Sequence, residues 1–498
     1  MTAEAASQRL SRIAFWGLIA LIAWAPLPLG SNRPWSWNLL SLCAGILLVI
    51  WALAALLDSR ATRLTGKRLL TPAILFGLVV LWGMLQTSSL MPDAWSNPLW
   101  AEAERVLGPT VSATISVDPT VTVSGAIRLL AYGAIFWMAA QFGRDRDDAR
   151  TILWCLVIIS IAYAVYGLLV YSSGNQTILG YTKWAFPNDL TSTFVARSAY
   201  GVYAGLGLLV ALALFVDCVA RSASTNRERL SITGLIDALP PAFYALAVAC
   251  TLLGTAMILS RSRGALAVTA LGTLVMFAAL LLRAGSSRGR MSLLLLAIGL
   301  GGLGLLEVSG GQTLGRFFVG AGQETGREAI HATAWRAIDA APLTGHGLDT
   351  FRQIIYQYRT EALVDSWYRI DKAHSVYLEL IAELGYIAFA VLMAALLWIV
   401  GVIASGLFRR RRDFIFPAVA LGSIAMIGIH NLVDFSIQMP AIAATWSAML
   451  GIGYAQSWGS EDAFGNRLAR NRGQKPWPVT AARSRMNNAR ASATTDNR

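Results

Sequence analysis

The chain has 498 residues, of which 55% are hydrophobic and only 14% charged, with a mean hydropathy of +0.54. Soluble domains carry about 25% charged residues, so this composition excludes an ordinary soluble enzyme and points to an integral membrane protein. The formal net charge of +13 follows from the gathering of Lys and Arg on the cytoplasmic side of polytopic proteins, and no nucleic-acid partner is expected.

Residues 1–12 place Arg9 and Arg12 ahead of the first apolar run, and no small-residue cleavage site follows it, which reads as an uncleaved signal anchor. A membrane helix needs roughly 20 apolar residues. About twelve stretches qualify, at 13–30, 36–57, 70–90, 122–142, 151–172, 194–216, 239–260, 264–282, 291–308, 375–404, 414–431 and 440–457. The expected fold is therefore an all-α polytopic membrane protein. Alternate loops carry clusters of basic residues, among them Arg60, Arg63, Lys67 and Arg68, then Arg144, Arg146 and Arg150, then Arg409 to Arg412. This bias puts both termini in the cytoplasm and the loops 91–121, 173–193 and 309–374 outside.

The long outer loop, 309–374, lies between the ninth and tenth expected spans. Within it Ile330, Ala334, Ala337, Ile338 and Ala341 fall on one side of a helix, as in an amphipathic helix lying on the membrane surface. Pro342 and the Gly345-His346-Gly347 turn end that helix, and a second short helix is expected over 350–361. The domain reading is a membrane unit over 1–457 and a basic, disordered cytoplasmic tail over 458–498. Cys43, Cys155 and Cys250 lie in apolar spans and Cys218 at the end of one, so no disulfide framework is suggested. The four histidines lack metal-ligand spacing, so no metal site is expected.

Several charged residues break the apolar pattern on the outer side. Arg261 and Arg263 sit in Ser260-Arg261-Ser262-Arg263-Gly264-Ala265, a connection too short to lift both away from the bilayer. A charge near hydrocarbon costs a few kcal/mol unless it is paired or in a polar cavity. Either the arginines snorkel to headgroups, or a guanidinium fork is aimed at a phosphate. Arg197 lies one turn inside the outer end of its span, with substrate and structural roles equally open, and Arg128 receives no role. His374 opens a span directly after the polar loop. On a helix it shares a broad face with Tyr377, Leu378, Ile381 and Gly385, while Glu379 and Glu383 share another with Ser375. A neutral imidazole with an ordinary pKa of about 6.5 can accept a proton from a hydroxyl. His430 reads as a helix-packing residue, and His331 and His346 as ordinary loop residues.

Four segments together resemble the O-antigen ligase and O-antigen polymerase superfamily of bacterial envelope proteins. They are LSRSRGALAV at 259–268, the run from Trp335 through Asp339 to PLTGHGLDTF, His374-Ser375 followed by Gly385, and HNLVDFSIQMP near the last span. The chain departs from the family at STFVARSAY, where Arg197 stands without flanking Asn and His, and at Ala388. The resemblance implies a GT-C-like membrane glycosyltransferase with no cofactor, acting at the outer face of the inner membrane. Its donor would be a glycan on undecaprenyl pyrophosphate. Its acceptor would be a sugar hydroxyl, on lipid A core for a ligase or on another lipid-linked repeat for a polymerase. A chain-length regulator and other polysaccharide-assembly proteins are the partners it suggests. On this reading Arg263, Arg197 and a loop arginine, Arg336 or Arg352, hold the departing pyrophosphate, and His374 acts as general base. Glu383 holds His374 or lines the site, and Trp367, Tyr368 and Tyr377 pack on sugar faces. The alternatives are a protein O-oligosaccharyltransferase of the same superfamily and, in another class, a polysaccharide flippase or secondary transporter. Transporters place polar groups near mid-membrane, whereas here they gather at one face.

Overall fold

The computed structural model describes residues 2–108, 112–225, 240–283, 324–359, 361–363, 370–410 and 413–459. In chain order the helices are α1 (Ala3–Trp24), α2 (Pro34–Leu57), α3 (Gly66–Leu85), α4 (Leu99–Leu107), α5 (Pro119–Phe142), α6 (Arg146–Ser172) and α7 (Arg197–Thr225). They continue with α8 (Pro241–Leu259), α9 (Arg263–Arg283), α10 (Glu324–Ala340), α11 (Phe351–Tyr358), α12 (Val376–Arg409), α13 (Ile415–His430) and α14 (Pro440–Gln456). Several starts are written in the sequence. Proline occupies the first helical position of α2, α5, α8 and α14, where its missing N–H costs nothing. The Asp118 and Asp145 carboxylates accept from the amides that open α5 and α6.

Eight helices among the described residues are long and apolar enough to cross a membrane: α2, α3, α5, α6, α7, α8, α9 and α12. They coincide with eight of the twelve expected spans. The expected span 13–30 falls on α1, whose first turns carry Glu4, Arg9 and Arg12, and 414–431 and 440–457 fall on helices of only 16 and 17 residues. The expected span 291–308 lies outside the described residues, as does the tail beyond Gly459. The chain divides into Met1–Ser457 and Trp458–Arg498.

Two helices lie inside the bundle. The short α14 is buried along almost its whole length. Among the long spans α7 is the most enclosed, with 78% of its spanning residues buried against 28% for α2, α3, α8 and α12. Glycines let its neighbours approach: Gly201 faces Ala265 and Ser260, Gly205 faces Thr269 and Met426, and Gly207 faces Ser160. Small residues at such contacts are the means by which membrane helices pack without a hydrophobic drive between them.

Two features of the polar loops differ from expectation. The loop 173–193 contains a two-stranded antiparallel hairpin, β1 (Thr177–Ile178) and β2 (Tyr181–Thr182), with Thr177 opposite Thr182. The expected surface helix is α10, but its apolar stripe is buried against protein instead of resting on lipid. Ile330, Ala334, Ala337 and Ile338 pack with Phe351, Ile354 and Ile355 of α11 and Ala382 of α12. The amphipathic pattern sets which face is covered, and the loop itself supplies the cover.

Helix α12 is broken at Gly385, which has φ 76° and ψ 166°. The break exposes backbone groups that the loop 342–347 then satisfies. Tyr386 N–H donates to the Pro342 carbonyl (2.8 Å), His346 N–H to Ala382 (3.0 Å) and Gly347 N–H to Glu383 (3.0 Å). A side chain at Gly385 would collide with the Leu343 carbonyl, and one at Gly345 with the Glu383 carbonyl, so both positions require glycine on grounds of space and of positive φ. Gln86 of α3 completes the joint, donating to the Thr344 and Glu383 carbonyls at 2.8 Å each and accepting from Leu348 N–H at 3.2 Å.

Candidate active site

The beginnings of α7, α9 and α12 and the end of α13 meet at one end of the bundle. The starts of α7 and α9 touch at Gly201 and Ala265. A methyl group on Gly264 would stand 3.4 Å from His430 Nε2, which places the residue after Arg263 beside that imidazole. Val376 N–H donates to the Asn431 carbonyl at 2.9 Å, docking the turn that carries His374 onto the end of α13.

Asp434 is the node of this junction. Its Oδ1 lies 3.8 Å from His374 Nδ1 and its Oδ2 lies 3.8 Å from His430 Nε2. Phe435 N–H donates to the carboxylate at 2.9 Å, and the Ser198 hydroxyl is a further neighbour. Burial by itself would raise the Asp434 pKa, but His374, His430, Ser198 and the Phe435 amide outweigh it and hold the carboxyl below its ordinary value. His374 has a left-handed backbone, φ 53°, and its ring meets the edge of Phe435 at 5.2 Å. His374 Nδ1, His430 Nδ1, Asn431 Oδ1 and His331 Nε2 are buried without a protein hydrogen-bond partner. Buried polar atoms are normally paired, at a cost of about 1–3 kcal/mol each when they are not. Several in one neighbourhood make this junction a polar one whose groups are not all met by the described residues.

Helix α10 contributes two residues that reading the sequence missed. His331 faces His374 and the Ala373 carbonyl, and its pKa is lowered by burial, then by the charges of His374 and Arg327. Arg327 stands one turn earlier, and its charge is felt by both His331 and His430. The i, i+4 spacing of an arginine and a histidine beside the apolar stripe was a usable signal.

A second cluster adjoins the first through Arg197, the neighbour of Ser198. Arg197 Nη1 lies 2.8 Å from Asp189 Oδ2, and Arg261 Nη1 lies 3.8 Å from Asp189 Oδ1. The Arg197 guanidinium stands over the Phe186 ring at 5.2 Å. Arg261 sits in the left-handed region, φ 54°, and Arg263, half-buried, begins α9. Arg197, Arg263 and His374 thus surround one junction, although they are far apart in the chain. Asp189 was not singled out from the sequence, because a lone aspartate in a polar loop carries no spacing signal.

Other expected site residues fall elsewhere. Glu383 accepts from Phe351 N–H at 3.1 Å, so it caps α11 and does not hold His374. That bracing comes from Glu379, which accepts from Ala373 N–H at 3.0 Å and from Lys372 Nζ at 3.3 Å. An advance of about 100° per residue separates the two carboxylates only modestly on the helix, and the partners packed around them, Phe351 for one and Lys372 and Ala373 for the other, distinguish their roles. The Tyr377 hydroxyl donates to the Gly428 carbonyl at 2.8 Å and so ties α12 to α13. Arg336 and Arg352 are exposed on α10 and α11, with no contact to the cluster among the described residues. Trp367 and Tyr368 lie outside the described residues. Arg128 pairs with Asp349 and stands 4.7 Å over the Trp37 ring, an anchor between α5 and the loop that joins α10 to α11.

Residues 248–393 match a family model described as O-antigen ligase. Arg261, Arg263, Arg327, His331 and His374 lie inside the matched segment, whereas Asp189, Arg197, His430 and Asp434 lie outside it. No curated protein matches the chain. The matched segment carries the arginine turn, α10 and the His374 turn, and through it the chain is similar to the O-antigen ligase family.

Proposed function

We propose that this protein transfers a glycan from a polyprenyl-pyrophosphate carrier to a sugar hydroxyl at the extracytoplasmic face of the inner membrane. The observation that carries the reading is the meeting of an arginine cluster and a histidine–aspartate cluster at one end of the bundle. The positive-inside bias of the loops puts that end outside.

In the proposed reaction the acceptor hydroxyl oxygen attacks the anomeric carbon of the donor sugar. The bond from that carbon to the pyrophosphate oxygen breaks, and the electron pair leaves with the pyrophosphate. Arg197, Arg261 and Arg263 stabilise the charge that develops there, the type of contribution expected from preorganised donors. His374 takes the hydroxyl proton. The anionic Asp434, 3.8 Å from His374 Nδ1, favours the proton on that nitrogen, leaves Nε2 as the base, and stabilises the imidazolium that forms. Arg327 supports the anion from α10. No step in this scheme uses Glu383 or Tyr377.

The test is transfer by purified protein in nanodiscs supplied with a polyprenyl-pyrophosphate-linked repeat unit. A ladder of lengthening chains on a gel identifies a polymerase, with donor and acceptor of the same kind. Transfer only after addition of lipid A core, or of a protein acceptor, identifies the corresponding ligase-type enzyme. Absence of transfer under all three conditions would overturn the proposal in favour of transport.

A further inference from the structure

Asp189 is placed unlike a substrate competitor. Its side chain is only 9% exposed, while those of Arg197 and Arg261 are 33% and 42% exposed. The carboxylate therefore lies behind the two guanidinium groups, which face outward. Each arginine engages it through a single nitrogen, Nη1, and a guanidinium has five N–H donors. Among the described residues neither guanidinium makes a second ion pair, which leaves its other donors on the open side.

The aspartate is itself fixed. Its carbonyl accepts from Lys183 Nζ at 2.8 Å, its amide donates to the Phe186 carbonyl at 3.2 Å, and the next amide, Leu190 N–H, donates to the Leu259 carbonyl at 3.0 Å. The last bond clips this loop to the end of α8, immediately before the turn that carries Arg261. Phe186 backs Arg197 from another side at 5.2 Å. Arg197 and Arg261 thus share one carboxylate, with the Lys183 ammonium on the backbone carbonyl of the same residue, and the cluster keeps a positive charge.

We propose that Asp189 is a positioning residue that joins Arg197 and Arg261, from separate segments, into one fork for a diphosphate group. The proposal rests on the anion-binding reading given above and adds the element that assembles the site. Arginine side chains lose rotamer freedom on binding an anion, and a carboxylate that orders them beforehand removes that cost from the binding step. The opposing effect is repulsion between Asp189 and the incoming phosphates. Because the carboxylate is screened by the two guanidinium groups in front of it, ordering outweighs repulsion.

The experiment measures binding of inorganic pyrophosphate to the full-length protein in neutral nanodiscs, and of a polyprenyl diphosphate embedded in the same nanodiscs. Phosphatidylglycerol nanodiscs serve as the headgroup arm. Asp189→Ala is expected to weaken pyrophosphate binding about tenfold, the scale of a lost charge-assisted contact. Asp189→Asn, which keeps an acceptor oxygen, should weaken it by a smaller factor and serves if the alanine variant does not fold. A single cooperative melting transition in Asp189→Asn shows that the variant is folded, even where loss of the buried charge lowers its unfolding temperature. In transfer assays the KM for the lipid-linked donor should rise while that for the acceptor stays constant. Unchanged or tighter pyrophosphate binding in both Asp189 variants would overturn the proposal. If Arg197→Ala and Arg261→Ala also bind like the unmodified protein, the anion-binding reading itself fails. A response to phosphatidylglycerol alone would assign the cluster to lipid headgroups and overturn the proposal as well.

Discussion

The two halves of the junction solve different electrostatic problems. Arg197 and Arg261 meet a protein carboxylate and keep a large part of their side chains open to the outside. His430 is almost wholly buried, and beside it ring or amide atoms of His331, His374 and Asn431 lack protein partners. Permanent cations near a bilayer need a counter-charge at all times, so the arginine side is paired even at rest. The histidine side gathers instead around a buried carboxylate, Asp434, flanked by two imidazoles. On the proposed reading one side binds the leaving anion and the other moves the proton.

The strongest way to break this comparison is to remove the proton-handling side alone. His374→Ala is expected to lower transfer by about 100-fold or more, the usual span of general acid–base catalysis, with pyrophosphate binding unchanged. Asp434→Asn should lower transfer by a smaller factor and shift its pH profile, because the carboxylate acts through His374. Equal loss of pyrophosphate binding in these variants would show that the two halves are not separate.

Next in size is the joint between α12 and the loop 342–347. Gly385→Ala puts a side chain at φ 76° and against the Leu343 carbonyl. Strain of this kind costs about 1–3 kcal/mol before any clash. A fall in unfolding temperature with loss of transfer is expected, and an unchanged melting curve would show that the loop 342–347 does not depend on the break.

Acid stability sharpens the comparison further. His331 has a lowered pKa from burial and from the nearby His374 and Arg327, so the unfolded chain takes up a proton that the folded one resists. Its contribution is present above the ordinary imidazole value of 6.5 and is lost as pH falls below it. His331→Gln should make the decline in unfolding temperature between about pH 7.5 and 5.5 shallower. Asp434, also lowered, acts with the same sign but only below the ordinary carboxylate value of 3.8. The smallest effect is expected from Arg336→Ala and Arg352→Ala. Both side chains are exposed, and transfer should stay within about twofold, as surface substitutions usually do.

Much of the fold was legible because membrane spans obey a local rule. Twenty apolar residues identify a span wherever they occur, and eight expected spans coincide with helices of sufficient length. The stripe Ile330, Ala334, Ala337 and Ile338 likewise marked the buried face of α10. Of the site, Arg197, Arg263 and His374 stood out because charge or imidazole interrupts an apolar run. Glu383 and Tyr377 stood out for the same reason, yet their hydrogen bonds go to Phe351 and Gly428. Polarity inside an apolar segment signals that a group needs a partner, without saying whether the partner is protein or substrate.

The chain by itself therefore determined the class of protein, most of its spans and the short list of interrupting residues. These depend on composition and spacing within one segment. Tertiary structure alone decided that α10 is covered by α11 and α12, that Glu379 and not Glu383 braces the His374 turn, and that Asp189 and Asp434 are the carboxylates around which the cations and imidazoles gather. Each of those outcomes depends on contacts between segments remote in sequence. For an ion pair or a buried hydrogen bond, distance in space sets the energy, and no local pattern records it.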